Sequence, residues 1–277
     1  MDKVTERGSR SIGQGTNALA SSIVLVCRQR PTDAPSGTRR EFLRALQAEL
    51  PNALKDLQRG NIAPVDLAQA AIGPGMAVYT RFAEVIDAEG KPVTVREALT
   101  LINQVLDEAL AEQEGDFDAD SRWALTWFEQ KGFDAGDFGE ADVLARAKNT
   151  SVAGLVDAGV LHSERGKVRL LKPDELPKAW NPSLDARVNA WEVVHQLVRV
   201  QGEMGESGAA KLLSALGAHA ETARELCYRL YNLCERKKRP SDALAYNGLV
   251  QAWPEIQRLA RAEPEAASKV SQDKFQF

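Results

Sequence analysis

One run of β-type residues stands ahead of a chain whose remaining periodicity is helical, and that mismatch limits the folds open to it. Ala18–Cys27 is a continuous apolar stretch, entered through the Gly-rich loop Arg10-Ser-Ile-Gly-Gln-Gly-Thr-Asn17. Such a run reads as a strand buried on both faces. A strand of this kind needs sheet neighbours, and the residues after it supply no matching set. The fold class expected is mainly α: a helical C-terminal region with a winged-helix-like segment, preceded by one residual strand.

The helical pattern can be followed element by element. After a Pro/Thr/Asp/Ser-rich linker from Gln29 to Gly37, Thr38 opens a helix with Phe42, Leu43, Leu46 and Leu50 on one face. Pro51 predicts a kink or restart, with Leu54 and Leu57 continuing the stripe to Gly60. Pro64 starts a short helix ending near Ile72-Gly-Pro-Gly75, and Met76–Ile86 reads as another. Asp87–Gly90 is a turn, and Thr94 with Glu97 forms a capping box for a helix through Leu99, Ile102, Leu106 and Leu110.

Residues 119–177 read differently. An aromatic helix carrying Trp123, Trp127 and Phe128 ends near Gly132, and two short helices follow at about 140–147 and 150–158. Val160–Leu171 then forms two alternating runs around Glu-Arg-Gly-Lys, a hairpin signature. Three helices followed by a hairpin is the element order of a winged helix. The remainder reads as helices at about 183–201, 206–217, 219–236 and 241–261. The expected division is a strand and linker at 1–37, a helical domain at 38–118 and the winged-helix-like segment at 119–177. A C-terminal bundle at 178–263 and a disordered tail at 264–277 complete it.

Composition narrows the class. An apolar fraction of 44% and a charged fraction of 27% are those of a soluble globular protein. The longest apolar run is far below the roughly 20 residues of a membrane-spanning helix, and no secretory signal is visible. Cys27, Cys227 and Cys234 form no C-x-x-C pair, which with the rest predicts a cytoplasmic protein. Cys227 and Cys234 are seven apart on one helical face and read as core residues.

The formal net charge of −4 is unevenly spread: residues 1–60 carry ten Lys/Arg against six Asp/Glu, and residues 61–120 three against twelve. The acidic total argues against a free-standing nucleic-acid binder, while the basic N-terminal part could line a DNA channel completed by another domain.

Candidate chemistry is sparse. Gly13-x-Gly15-x-x-Ala18 matches a dinucleotide fingerprint by letters, but its glycines precede a strand instead of linking a strand to a helix. Asp116-x-Asp118-x-Asp120 lacks the Gly and Glu of a calcium loop, having Ser121 and Trp127 there, and reads as a solvated helix end. Asn149-Thr-Ser151 is a glycosylation sequon by letters alone. His162, His195 and His219 have no metal-ligand spacing, and no catalytic arrangement and no Walker loop is seen. The wing carries Arg165, Lys167 and Arg169, which could touch phosphate. Its would-be recognition helix, Thr150–Asp157, lacks a base-reading fork of Arg, Asn or Gln.

Longer words carry a resemblance. Asn17–Arg28, Thr38–Leu43, Gly60–Met76, Ile102–Leu106, Gln113–Asp120, Ala147–Val152, Tyr228–Tyr231 and Ala245–Asn247 resemble segments of the large zinc-ribbon adenine-specific DNA methylases, whose N-terminal part is catalogued as domain of unknown function 1156. They span almost the whole chain. The resemblance implies that the first strand is a late strand of a methyltransferase α/β sheet and that S-adenosylmethionine and zinc belong to the full-length enzyme. The Asp-Pro-Pro-Tyr-type motif that holds a flipped adenine is missing from this sequence; the nearest string is Asn181-Pro-Ser-Leu184. The glycine-rich cofactor loop and zinc-ribbon cysteines are missing too.

The expectation is thus a C-terminal fragment or subunit of a DNA adenine N6-methyltransferase, possible equipment of anti-phage defence. It is expected to be inactive alone, with no catalytic, cofactor or metal residue of its own. Its implied partners are DNA, reached through the full enzyme, and the missing N-terminal region or a partner subunit, with self-association through the unpaired strand. Arg7, Arg10, Gly13, Gly15 and Asn17, together with Arg165, Lys167 and Arg169, are the expected DNA contacts. The rival readings are a helical adaptor that binds a partner protein through the winged helix and C-terminal helices, and a DNA-binding regulator.

Overall fold

Thr38 begins the regular structure as the sequence predicts. Its hydroxyl accepts from the Glu41 N–H while the Glu41 carboxylate accepts from the Thr38 N–H at 2.7 Å, a complete capping box. The computed structural model describes residues 26–112 and 117–273. Most of the expected N-terminal strand, with Arg7, Arg10, Gly13, Gly15 and Asn17, lies outside the described residues. Val26 and Cys27 are exposed and in no regular element.

In chain order the elements are β1 (Gly37–Thr38), α1 (Arg39–Arg59), α2 (Pro64–Tyr79), β2 (Val85–Ile86), α3 (Val95–Glu112), α4 (Ala119–Lys131), β3 (Gly136–Asp137), α5 (Phe138–Ala147), α6 (Val152–Asp157), β4 (Leu161–Glu164), β5 (Lys167–Leu170), α7 (Ala190–Leu216), α8 (His219–Arg236) and α9 (Pro240–Asp273). The described chain is mainly α, as expected. No helix among the described residues is long and apolar enough to cross a membrane.

Helices α1, α2 and α3 form one three-helix unit, tied at its start by the short parallel pair β1–β2. The α1 stripe Phe42, Leu46, Leu50 and Leu54 is fully buried against it. Two expectations fail here. Pro51 does not restart α1, which is helical throughout. The bond that Pro51 removes is to the carbonyl of Gln47, an exposed residue, where water can replace it. Residues 64–86 are not two helices but one, α2, followed by β2. Gly73-Pro74-Gly75 stays helical because packing overrides propensity: a Cβ at Gly75 would stand 2.6 Å from Ile102 Cγ2, so glycine lets α2 and α3 meet closely.

A second three-helix unit, α7–α9, closes the C-terminal side. The expected helix at 183–201 begins later, at Ala190, because Asn189 is its cap and accepts from the Glu192 N–H. Gly205, with φ 69°, breaks α7 internally, near the boundary the sequence predicts. Helix α9 continues to Asp273, beyond the expected end near 261. Ala266, Ala267 and Lys269, all good helix formers, follow Pro264. Cys227 and Cys234 are fully buried, and burial pushes both thiols up.

The two units are joined by polar groups far apart in sequence. Ala63 offers α2 no side-chain cap, and the Val65 N–H instead donates to Asn247 Oδ1 of α9 at 3.1 Å. The Tyr228 hydroxyl donates to the Ile62 carbonyl at 2.6 Å, and Arg224 donates to Asn61 Oδ1. Within the second unit His195 is fully buried on α7, stacked on Trp191. Its Nδ1 faces the Trp191 carbonyl at 2.7 Å and therefore carries the proton, leaving Nε2, at 3.0 Å, to accept from the Tyr246 hydroxyl of α9.

Burial holds the His195 imidazole neutral, its pKa pushed down to about 4. The unfolded chain takes up that proton near pH 6.5 and the folded one only near 4, so this residue costs stability progressively as pH falls across that window. Tyr246→Phe leaves Nε2 buried without a donor, and chemical denaturation is expected to show a loss of about 1–3 kcal/mol at neutral pH.

Candidate nucleic-acid interface

The segment from α4 to β5 folds as expected from its order of elements. Helix α4 buries Trp123 and Trp127, stacked at 5.2 Å, and Trp123 Nε1 donates to the Ala141 carbonyl of α5. Gly136 lies against the Trp127 ring, where a Cβ would stand 2.6 Å away. That contact positions β3, a two-residue strand that the sequence does not announce. β3 pairs with β5, and β5 with β4, both antiparallel, giving the sheet order β3-β5-β4. Helix, strand, helix, helix and hairpin in this arrangement is the connectivity of a winged helix.

The wing closes through a two-residue turn, Arg165 and Gly166, both at positive φ (51° and 74°), the backbone that suits a tight hairpin. The wing cations differ in their availability. Arg165 sits at the tip with its side chain 89% exposed, 3.3 Å from Glu164. Lys167 is held by Asp137 of β3 at 2.5 Å, which raises its pKa and lowers that of the carboxylate. Arg169 makes a two-pronged pair with Glu175 at 2.6 and 2.7 Å, which raises the pKa of the guanidinium and lowers that of the carboxylate. So all three expected wing contacts already meet carboxylates of this chain, Lys167 and Arg169 by direct hydrogen bonds and Arg165 by an exposed ion pair with its neighbour.

Helix α6 stands in the recognition position and is short. Ser151 caps it by accepting from the Gly154 N–H, while Val152, Gly154 and Leu155 face inward. Ala153, Val156 and Asp157 are left at the surface. Arg187, from the connector before α7, crosses the start of this helix, and a Cβ at Gly154 would stand 2.3 Å from its Nη1.

Arg187 belongs to a junction that the sequence did not reveal. Asp120, 4% exposed, accepts from Arg187 Nε and Nη2, both at 2.7 Å, and from the Thr150 hydroxyl. Asp118 accepts from the Ser121 N–H and hydroxyl and, across the interface, from the Ala190 N–H. Ser121 Oγ accepts in turn from the Trp191 N–H, and Asn189 Nδ2 donates to the Ala158 carbonyl. The expectation of a solvated helix end holds for Asp118, the exposed cap of α4, and fails for the buried Asp120, while Asp116 lies outside the described residues; both Asp118 and Asp120 tie the winged helix to the start of α7 or its connector. The letters Asn189-x-x-Glu192 are the signal by which this helix start could have been found.

Glu192 completes the junction. It is 3% exposed, its Oε1 would stand 2.7 Å from a Cβ at Gly159, and its Oε2 lacks a hydrogen-bond partner. Burial above all, then the charge and hydrogen bond of Asp185, push its pKa up to about 8. Asp185 itself accepts from Trp180 Nε1 and the Arg187 N–H. No group of three or more His, Cys, Asp or Glu that could hold a metal ion is found among the described residues.

This geometry carries a sign that can be measured. An unfolded glutamate ionises near pH 4.5 and the folded Glu192 near 8, so the unfolded chain sheds the proton first and stability falls as pH rises through that range. From about pH 7.5 to 8 the His195 imidazole is neutral folded or unfolded. Thermal melts there should show the wild type losing stability with rising pH, and Glu192→Gln, which cannot ionise, losing clearly less.

A family model described as Domain of unknown function (DUF8807) matches residues 118–275. No curated protein and no solved structure matches the chain. The matched span opens at Asp118 and takes in the winged helix and α7–α9 together, the two parts that the Asp118, Asp120 and Asn189 bonds join. More than half of the sequence lies within that span, and the chain belongs to the family of Domain of unknown function DUF8807.

Proposed function

We propose that this chain is a non-catalytic C-terminal part of a cytoplasmic DNA adenine N6-methyltransferase, resembling the zinc-ribbon adenine-specific methylases. In that role it acts as a rigid helical scaffold carrying a winged helix beside the catalytic region. S-adenosylmethionine and zinc are then held by the methyltransferase region or subunit that works with it, and DNA is the shared partner. Modification in anti-phage defence is the setting this reading implies.

The reading is carried by the resemblance of several words of this sequence to those enzymes. These words are distant in sequence yet meet at two junctions. Gly60–Met76, Tyr228–Tyr231 and Ala245–Asn247 come together where Tyr228 and Asn247 bind the Ile62 carbonyl and the Val65 N–H. The described end of Gln113–Asp120 meets Ala147–Val152 where Thr150 donates to Asp120.

A specific observation favours the adaptor as the second reading. The surface of α5 and α6 exposes Phe138, Val143 and Val156, at 42%, 65% and 40%, where a base-reading helix would carry polar forks.

Single-molecule sequencing of genomic DNA from cells with and without the gene separates these readings. Loss of N6-methyladenine at one sequence motif on deletion is the expected result, and an unchanged methylation pattern overturns the methyltransferase reading. Calorimetry on the purified chain should show no S-adenosylmethionine binding; micromolar binding would contradict the non-catalytic role.

A further inference from the structure

The wing is a poor phosphate contact, since Lys167 and Arg169 are occupied, and the free cations lie elsewhere. On the first two turns of α1, Arg39, Arg40 and Arg44 are exposed and make no hydrogen bond or ion pair within the described residues. They line one wall of a groove of about 780 Å³, with Gln47 beside them and Leu43 and Ile86 among its apolar lining.

Three of the four acids near this wall are already engaged. Glu41, beside Arg44, is held by the N–H and hydroxyl of Thr38. Glu97, beside Arg39, is held by the same two groups of Thr94. Asp87, across the groove, accepts from the Glu89 and Lys91 N–H groups, and Glu89 stands exposed next to it. The capping carboxylates face the N-termini of α1 and α3, whose partial positive charge offsets much of theirs. Three guanidiniums with free donors remain, and guanidinium is the side chain best matched to phosphate oxygens.

We propose that this face of α1 is a sequence-independent contact for the phosphodiester backbone of duplex DNA. The assignment rests on the methyltransferase reading for its choice of duplex DNA, and on the unpaired arginines for its place. It moves the nucleic-acid contact from the winged helix, whose cations are spent on internal carboxylates, to the helix that directly follows the N-terminal linker. Backbone contacts of this kind hold a duplex in register for another region to act on, and carry no base preference of their own.

The test is fluorescence anisotropy of the full 277-residue chain with a labelled duplex of mixed sequence, at salt concentrations from about 50 to 200 mM. Arg40→Glu/Arg44→Glu is expected to weaken binding at least about tenfold at low salt and to flatten the salt dependence by about two contacts. Arg40→Lys/Arg44→Lys should retain most of the affinity, and Arg165→Glu should change it little. All these side chains are exposed, so circular dichroism should show each variant folded. No binding at low salt, or an affinity indifferent to the α1 reversal, overturns the proposal. So does a loss matched by the control reversal Lys237→Glu/Lys238→Glu, or displacement of the duplex as readily by polyglutamate as by unlabelled DNA. The methylation readout is independent of this one. A lost adenine mark with unaltered duplex binding defeats the α1 surface alone, and the reverse pattern defeats the methyltransferase reading alone.

Discussion

Two aspartates two residues apart hold the molecule's central joint. Asp118 receives donors from its own helix and from the start of α7, and Asp120 receives the Arg187 guanidinium and the Thr150 hydroxyl. Asp118 is exposed, whereas the carboxylate of Asp120 would be costly to bury alone and is bonded here. The N-terminal groups of α4 and α7, which need acceptors, therefore obtain them from shared side chains. This makes the winged helix and the C-terminal helices one mechanical piece. A winged helix anchored in this way has its recognition helix roofed at one end by Arg187 and its wing braced by Asp137 and Glu175. Polar chemistry that could have faced a ligand is turned inward to hold the scaffold.

The interior of the C-terminal unit follows the same logic with aromatic groups. Phe133, Trp191, His195 and Tyr246 pack ring to ring, and the imidazole links the Trp191 carbonyl to the Tyr246 hydroxyl. The rings supply apolar area, while the fixed tautomer specifies how α7 and α9 align. At the other end of the molecule, Asn247 and Tyr228 satisfy the backbone at the start of α2. Long-range polar bonds, more than helix propensity, set how the three parts are oriented.

Much of the fold was legible because it depended on local signals. The boxes Thr38/Glu41 and Thr94/Glu97 form as their letters predict, the α1 and α3 stripes are buried, and the Glu-Arg-Gly-Lys turn closes the wing. Where the reading failed, a tertiary contact outweighed a local one. Gly73-Pro74-Gly75 looked like a break but lies within α2, because Gly75 packs against Ile102. The α7 start was placed too early, since the cap of Asn189 is completed by bonds to a segment some thirty residues away.

The candidate interface divides along the same line. The sequence by itself determined a mainly helical chain, a winged-helix order of elements, and an excess of positive charge near its N-terminus. These follow from periodicity, turn chemistry and counting, and need no knowledge of what lies beside each residue. Which cations are free was decided by the tertiary structure alone. Lys167, Arg169 and Arg187 form hydrogen-bonded pairs with carboxylates supplied by other elements, while Arg39, Arg40 and Arg44 form none within the described residues. The strength of a charge as a ligand depends on whether a neighbour has already neutralised it, and neighbours in space are set by folding, not by order along the chain.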